Sequence, residues 1–366
     1  MSNYLKPPDG VYHSASEWVE KTSSKKFSPT YIEFEPVIPT NFPKAKGIDG
    51  RHFANPFASE KPLPRRYVVV IPEGRVWGRT GSVITPDNKL LWDVSWQPSK
   101  SPSNHSIFRQ KKLPPAVYTK ESVAVLTFCV PNNYFHWMFD VISRLDFLRR
   151  SRINFNKYVI NRISPQPFHQ QILDLLGIPK EKIIECNNHF HLQAKRLVVP
   201  SRKGFISKEA CDFLRNELLS KRIIKKSDLS KRIYVSRKNA SVRKILNEDQ
   251  VIGVLEEYGF RTVYLEKMTV AEQIGLFSSS SAVIAPHGAG LTNLVFCHKG
   301  TKVIETFPRD FVPEYYWKIS ALMNLDYYYL IGDVVKRDTQ QKRENDILIP
   351  IEKLKKIIEM TGMEKN

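Results

Sequence analysis

The chain has 366 residues, is 42% hydrophobic and 11% aromatic, and carries a formal net charge of +19. That is too long for one ordinary core and suits two domains with buried sheets. The longest apolar runs, such as Val123–Val130, fall short of the ~18 residues a membrane-crossing helix needs. Met1–Pro8 has no charged segment leading into an apolar one, so no signal peptide is expected. The four cysteines (Cys129, Cys186, Cys211, Cys297) are scattered with no C-x-x-C, which points to reduced thiols in a reducing compartment.

Residues 1–65 are Pro-rich, with apolar residues too sparse for a periodic element, and read as an irregular arm. Arg66–Ile71, Ser82–Thr85 and Leu90–Ser95 follow as short strands of a β-meander, separated by Gly-containing loops and the turn Pro86-Asp87-Asn88. Val123–Val130 is a continuous apolar run ending at Pro131-Asn132-Asn133, the pattern of a buried parallel strand. A helix is predicted over Tyr134–Arg150, a strand over Lys157–Asn161, a helix over Pro167–Leu176, and strands at Lys182–Glu185 and Leu197–Pro200. A helix near Lys208–Lys221 closes this half.

The second half alternates more cleanly. Strands are predicted at Arg232–Ser236, Thr262–Leu265, Ala282–Ala285, Lys302–Thr306 and Tyr327–Ile331. Asn247-x-x-Gln250 opens a helix to Tyr258 with Gly259 as C-cap, and Thr269-x-x-Glu272 is a capping box for the next one. A short helix runs to Cys297, another spans Glu314–Asn324, and Ile351–Met360 is a last helix that packs on one of the two domains. Strand and helix alternate every ~25 to 30 residues, the rhythm of right-handed βαβ units in a doubly wound parallel sheet. The expected domains are 1–65 (arm), 66–222 (β-meander plus Rossmann-like), 223–335 (Rossmann-like), and 336–366 (linker and C-terminal helix).

In an open parallel sheet, ligands sit beyond the carboxyl ends of the strands, at helix N-termini. The loop His287-Gly288-Ala289-Gly290-Leu291-Thr292-Asn293 occupies that position. Its small residues let backbone approach an anion, the helix start offers free N–H groups, and Thr292 and Asn293 add side-chain donors. Alternatively, the glycines serve only the backbone angles of a tight turn. The loop is neither G-x-G-x-x-G nor G-x-x-x-x-G-K-[ST], and no G-x-S-x-G occurs, which removes support for dinucleotide, P-loop and nucleophile-elbow readings. Glu305 ends the next strand at the same edge, where a carboxylate suits a sugar or ribose diol. Arg237, Arg243 and Glu248 follow the first strand of this half, and arginine suits a diphosphate because its planar fork donates two bonds at once.

In the first half, His136 and Asp140 are four residues apart at the start of a helix and so share one face. A carboxylate against an imidazole raises its basicity, as a general base requires; the alternative is a core histidine in an aromatic first turn. There is no Asp-x-Asp and no His or Cys cluster at metal-ligand spacing, so no metal and no cofactor are expected. Between Gln193 and Lys244 there are 16 Lys or Arg against 4 Asp or Glu, +12 of the net charge in 52 residues. Such a stretch fits nucleic acid, anionic lipid, substrate phosphates or a plain solvated face. Nucleic acid is disfavoured by the absence of zinc-knuckle spacing, an RNP-type aromatic motif or a heptad basic region.

Three blocks in order resemble glycosyltransferase family 61, which includes plant xylan arabinosyl- and xylosyltransferases, EGF-domain O-GlcNAc transferases and bacterial capsular polysaccharide proteins. They are His136-Trp137-x-x-Asp140, then Ser236-Arg237…Arg243…Asn247-Glu248, then Gly288-Ala289-Gly290-Leu291-Thr292-Asn293-x-x-Phe296 running to Val303-Ile304-Glu305. The resemblance implies an α/β fold of GT-B type, two Rossmann-like domains facing across a cleft. It implies a hexosyl- or pentosyltransferase that inverts the anomeric centre without a metal, using a nucleotide-sugar donor. His136 and Asp140 would be the base and its orienter, with His287 as the other candidate base. Arg237, Arg243 and the Gly288–Asn293 loop would hold phosphates, and Glu305 or Glu248 the ribose. With no membrane anchor or paired secretory cysteines in view, the expected setting is cytoplasmic, peripheral at the inner membrane face. A saccharide or lipid-linked saccharide of surface-glycan assembly would be the acceptor, and the basic stretch would aid docking to anionic membrane. The contrasting expectation is a non-catalytic polyanion-binding protein that uses the same basic region.

Overall fold

The computed structural model describes residues 4–22, 29–36, 42–50, 53, 64–163, 166–202, 206–221, 231–335 and 341–365. The chain divides into two compact units, Met1–Val37 with Pro62–Phe205, and Ile38–Lys61 with Ile206–Asn366. Each is an α/β unit with its own sheet.

The first unit is built on ten strands: β1 (Gly10–Tyr12), β2 (Thr30–Glu33), β3 (Tyr67–Pro72), β4 (Arg75–Trp77), β5 (Ser82–Ile84), β6 (Lys89–Leu91), β7 (Val117–Val125), β8 (Lys157–Asn161), β9 (Ile183–Cys186) and β10 (His191–Pro200). Their order is β1-β6-β5-β4-β10-β7-β8-β9, with β3 pairing both β10 and β2. β10, β7, β8 and β9 run parallel, as do β1 and β6; β3, β4 and β5 are antiparallel to their partners. The sheet is therefore mixed, because hairpin-spaced strands such as β4 and β5 pair locally. The N-terminal segment, expected to be irregular, supplies β1 and the helix α1 (Ala15–Thr22), whose Trp18 is fully buried in the core.

Three local expectations change here. Leu90–Ser95 is not one strand: after β6 the chain turns into a short helix, Trp92–Ser95, whose Asp93 carboxylate accepts from the Ala15 amide and Tyr67 hydroxyl. Strand β7 starts six residues earlier than the apolar run and leaves the ladder at Val125, since its first half is exposed and carries no apolar signature. The helix predicted over Tyr134–Arg150 is broken. It passes through a π turn at Trp137–Val141 and a 3₁₀ turn before the helix α2 (Leu145–Ser151) resumes. Trp137 and Phe139 are buried, as core residues.

Arg144, at the end of that broken segment, is 1% exposed. It donates to the carbonyls of Thr127, Val125 and Pro200, at 2.9, 3.3 and 2.6 Å. It thus closes the carboxyl ends of β7 and β10 with one guanidinium, and burial pushes its pKa down to about 10.

The second unit carries β11 (Arg232–Val235), β12 (Phe260–Val263), β13 (Ala282–Pro286), β14 (Lys302–Pro308), β15 (Asp326–Val335) and β16 (Asp346–Leu348). The order is β12-β11-β13-β14-β15-β16, and all pairings through β15 are parallel. In chain order this is 2-1-3-4-5, a doubly wound sheet whose topological switch lies between β11 and β13. The helices α5 (Glu248–Glu257) and α8 (Ile351–Met360) share a core cluster with one face. On the other side α4 (Lys208–Leu219), α6 (Val270–Ser279) and α7 (Tyr315–Leu322) contact the 3₁₀ segment Ala289–Phe296; α3 (Phe168–Leu175) belongs to the first unit. The last helix therefore packs on the second unit, through Leu354, Ile357 and Ile358.

The capping box of α6 forms as the sequence pattern requires, with Thr269 and Glu272 bonding each other's backbone. Asn247, expected to cap α5, instead pairs its side-chain amide with the backbone of Ile349 on both sides, at 2.8 and 3.0 Å. Residues 203–205 and 222–230 of the basic stretch lie outside the described residues. Among the described residues no helix is long and apolar enough to cross a membrane.

Arg144→Ala leaves three buried carbonyls without a donor, so unfolding free energy should fall by about 3 kcal/mol, with Arg144→Lys recovering part of the loss. Urea denaturation followed by tryptophan fluorescence measures this; an unchanged midpoint contradicts it.

Candidate functional site

Two histidine–carboxylate pairs stand out, one in each unit. In the first unit, Asn133 caps the broken helical segment by accepting from the amides of Phe135 and His136. This fixes His136 at the first turn, where Nδ1 meets Asp140 Oδ2 at 2.7 Å. The His136 side chain is 34% exposed and Asp140 is 16% exposed. Its ring lies against Phe128, with 5.3 Å between ring centroids. Nδ1 is held by the carboxylate, and Nε2 has no hydrogen-bond partner among the described residues. A carboxylate on Nδ1 fixes the tautomer that leaves Nε2 basic, the geometry of a general base. The π turn immediately after His136 keeps Asp140 beneath the ring while turning Trp137 and Met138 into the core.

In the second unit, β13 ends at Pro286 and β14 runs on to Pro308, so Glu305 lies inside the sheet and not at a strand end. Glu305 is fully buried. One carboxylate oxygen meets His287 Nδ1 at 2.5 Å, and the other accepts the Tyr327 hydroxyl at 2.7 Å. Both oxygens are thus engaged inside the protein, by His287 and Tyr327, rather than presented at a strand end. Burial raises its carboxyl pKa, opposed by the hydrogen bond from His287. The imidazole stacks on Phe307 and is flanked by Phe311, Tyr315 and Tyr316. Its Nε2 likewise has no partner among the described residues. Glu248 is likewise engaged inside the protein. It is 6% exposed, and one oxygen accepts the hydroxyls of Tyr234 and Ser236 at 2.7 and 2.9 Å. It ties the end of β11 to the start of α5.

The loop itself is used differently from the sequence expectation. Thr292 and Asn293 are both fully buried. The Asn293 amide donates to Gln273 Oε1 and to the Gly290 carbonyl, anchoring the loop to α6, and Thr292 lies beside Tyr316. Neither side chain points to solvent. What the loop offers is backbone: Ala289 and Gly290 are partly exposed, and their amides precede the first intrahelical bonds. Gly288 adopts extended backbone (φ 179°) that any residue could take. Its requirement is space, since a Cβ there would lie 2.2 Å from Arg237 Nη1.

Arg237 is the centre of this arrangement. It follows β11, directly across the topological switch from the His287 loop. Nη2 donates to the Val242 carbonyl at 2.8 Å, while Nε is buried without a partner. Burial, and then the nearby Arg243, push its pKa down to about 10, so it stays charged at neutral pH. Arg243 donates through Nε to the His287 carbonyl at 2.9 Å and through Nη1 to the Arg343 carbonyl; burial lowers its pKa too. Neither arginine has a carboxylate partner among the described residues. Two arginines desolvated side by side repel, and that is stable only where an anion can enter. The geometry brings together Arg237, Arg243, His287 and the Gly288–Gly290 backbone; Glu248 and Glu305 stand behind them. Among the described residues no group of three or more His, Cys, Asp or Glu converges as a metal site. Sequence reading missed Tyr327 and Tyr316, which carry no motif and join the site only through sheet register.

The model of the family Glycosyltransferase 61 matches residues 134–304, a span that contains both His136 and the His287 loop. Protein O-linked-mannose β-1,4-N-acetylglucosaminyltransferase 2 of Mus musculus and of Homo sapiens are each 35% identical over 86 residues, 23% of this chain and 15% of theirs. EGF domain-specific O-linked N-acetylglucosamine transferase of Drosophila melanogaster is 31% identical over 77 residues, 20% of this chain and 15% of its own. The chain thus spans about 15% of the length of these curated relatives.

Glu305 fixes the proton of neutral His287 on Nδ1. In Glu305→Gln, the amide can turn its NH₂ to the ring and release that preference, so ¹⁵N imidazole shifts should move toward the Nε2–H tautomer. Unchanged shifts contradict the orienting role.

Proposed function

We propose that this chain, whose residues 134–304 match the model of family Glycosyltransferase 61, is a glycosyltransferase that moves a sugar, with inversion and without a metal, from a nucleotide-sugar donor to a saccharide acceptor. The observation that carries the reading is the half-buried, carboxylate-free pair Arg237 and Arg243, with Arg237 Nε sealed from solvent, beside the open backbone of Ala289 and Gly290. A leaving diphosphate matches this set: two guanidinium groups take the charge that a divalent cation would otherwise take, and the loop amides add donors. In this reading the second unit holds the donor, and His136 of the first unit is the proposed base.

His136 Nε2 takes the proton of an acceptor hydroxyl as that oxygen forms its bond to the anomeric carbon. The bond from that carbon to the diphosphate oxygen breaks, the electron pair leaves on the phosphate, and the configuration inverts. Asp140 stabilises the imidazolium that results. His287, whose Nε2 is also open, stands at the donor side and holds the loop through its carbonyl contact with Arg243. The reading places the reaction in surface-glycan assembly at the cytoplasmic face of a membrane, with a lipid-linked saccharide as one acceptor form. The relatives' names make nucleotide-activated N-acetylglucosamine a first donor to test.

Nucleotide sugars should raise the unfolding temperature in the presence of EDTA, and one of them should be slowly hydrolysed. His136→Ala should cut transfer roughly 100-fold or more while donor protection persists. Full turnover by a folded His136→Ala protein transfers the role to His287. No stabilisation by any nucleotide, combined with salt-sensitive binding of long polyanions, favours a non-catalytic binding protein.

Gly288→Ala pushes a methyl group into Arg237 and should weaken nucleoside diphosphate binding at least tenfold with the fold retained, as read by calorimetry and circular dichroism. Unchanged affinity would remove Arg237 from the donor site.

A further inference from the structure

The first unit has a cavity of about 540 Å³ at the carboxyl ends of β7, β8 and β9, lined by Phe128, Asn132, Arg162, Asn187, Asn188 and Arg79 among others. Its walls are tied together by one buried residue. Asn161 is 2% exposed; it accepts from the Phe128 amide and donates to the Arg79 carbonyl, both at 2.7 Å. His169 fixes the rim by bonding the Pro131 carbonyl at 3.0 Å. Phe128 is also the ring on which His136 rests, so the cavity adjoins the base.

The lining is amide and guanidinium, with no carboxylate. Arg79 and Arg162 are exposed, and neither has a side-chain partner among the described residues. Arg202 lies over Trp96 and Phe128, 4.7 and 5.1 Å from their centroids, and its Nε is buried without a hydrogen-bond partner. The neighbouring Glu185 is not among the lining residues and accepts the Ile163 amide at 3.2 Å. An adjoining cavity of about 560 Å³ shares Arg79, Thr80, Cys129 and Asn188, and adds Trp77 and Lys100. Side-chain amides pair with sugar diols, aromatic faces take the apolar face of a sugar ring, and unpaired arginines take carboxylate or phosphate.

We propose that these joined cavities are the acceptor site and that they select an oligosaccharide bearing an anionic group, a sugar carboxylate or phosphate. The assignment rests on the transferase reading for its role and on the cavity's own lining for its ligand class. Phe128 would seat the sugar beside His136, and Arg79, Arg162 and Arg202 would hold the anion.

Calorimetric titration of the whole chain with a trigalacturonate, the neutral galactose trimer and a phosphorylated trisaccharide tests it. At least one acidic ligand should bind ten times or more tighter than the neutral one, with the preference collapsing as salt rises from 50 to 500 mM. The carboxylate and phosphate arms distinguish the two sources of charge. Arg79→Gln/Arg162→Gln should lose that preference while keeping nucleoside diphosphate binding. Equal affinity for neutral and acidic ligands overturns the proposal, as does an unchanged preference in the double variant. Absent nucleotide binding in the wild type, with acidic preference intact, counts against the transferase reading alone.

Discussion

A half-buried guanidinium with no carboxylate partner among the described residues is the constraint around which the second unit is arranged. Arg237 loses most of its hydration and gains one carbonyl in return, with Nε left bare. Such a cation is costly to bury unless the surroundings are held rigid and an anion compensates it in the working state. The surroundings are held. Glu248 locks the end of β11 to α5 through Ser236 and Tyr234. The Lys244 amide donates to the Asp346 carboxylate, and Lys244 and Leu246 share backbone bonds with Ile347 of β16. Gly288 leaves the space the side chain fills. Remove any of these and the arginine can relax outward to water.

The same logic separates the two histidines. Both have Nδ1 on a carboxylate and Nε2 free, but His136 is a third exposed on a first turn, whereas His287 is 7% exposed among four aromatic rings. An exposed imidazole can meet an incoming hydroxyl and exchange its proton with solvent. An imidazole enclosed by Phe307, Phe311, Tyr315 and Tyr316 is better suited to shaping the loop and excluding water around the leaving group.

Much of the second unit was legible in the sequence because its strands are buried on both faces and its helices carry their own start and stop signals. The capping box at Thr269 and the apolar runs at Ala282 and Lys302 needed no tertiary information. The first unit was less legible. Its strands pair antiparallel over a few residues, β7 begins in exposed, mixed sequence, and the π turn after His136 has no compositional mark. In the loop, sequence marked the position but not the use. Whether Asn293 meets a ligand or Gln273, and whether Glu305 faces solvent or His287, depends on how far β14 extends and where α6 lies. Polar residues near a switch point read as ligands until their partners are known; here Asn293, Glu248 and Glu305 bond inside the protein, and the proposed contact surface is arginine with bare backbone.

The most direct test of this account is a crystal structure of the chain with a nucleoside diphosphate, grown in EDTA. The account predicts phosphate oxygens on the Arg237 and Arg243 guanidinium groups and on the amides of Ala289 and Gly290, with Glu305 still bonded to His287. A diphosphate bound elsewhere, or one held at this loop only through an added divalent cation, would contradict it.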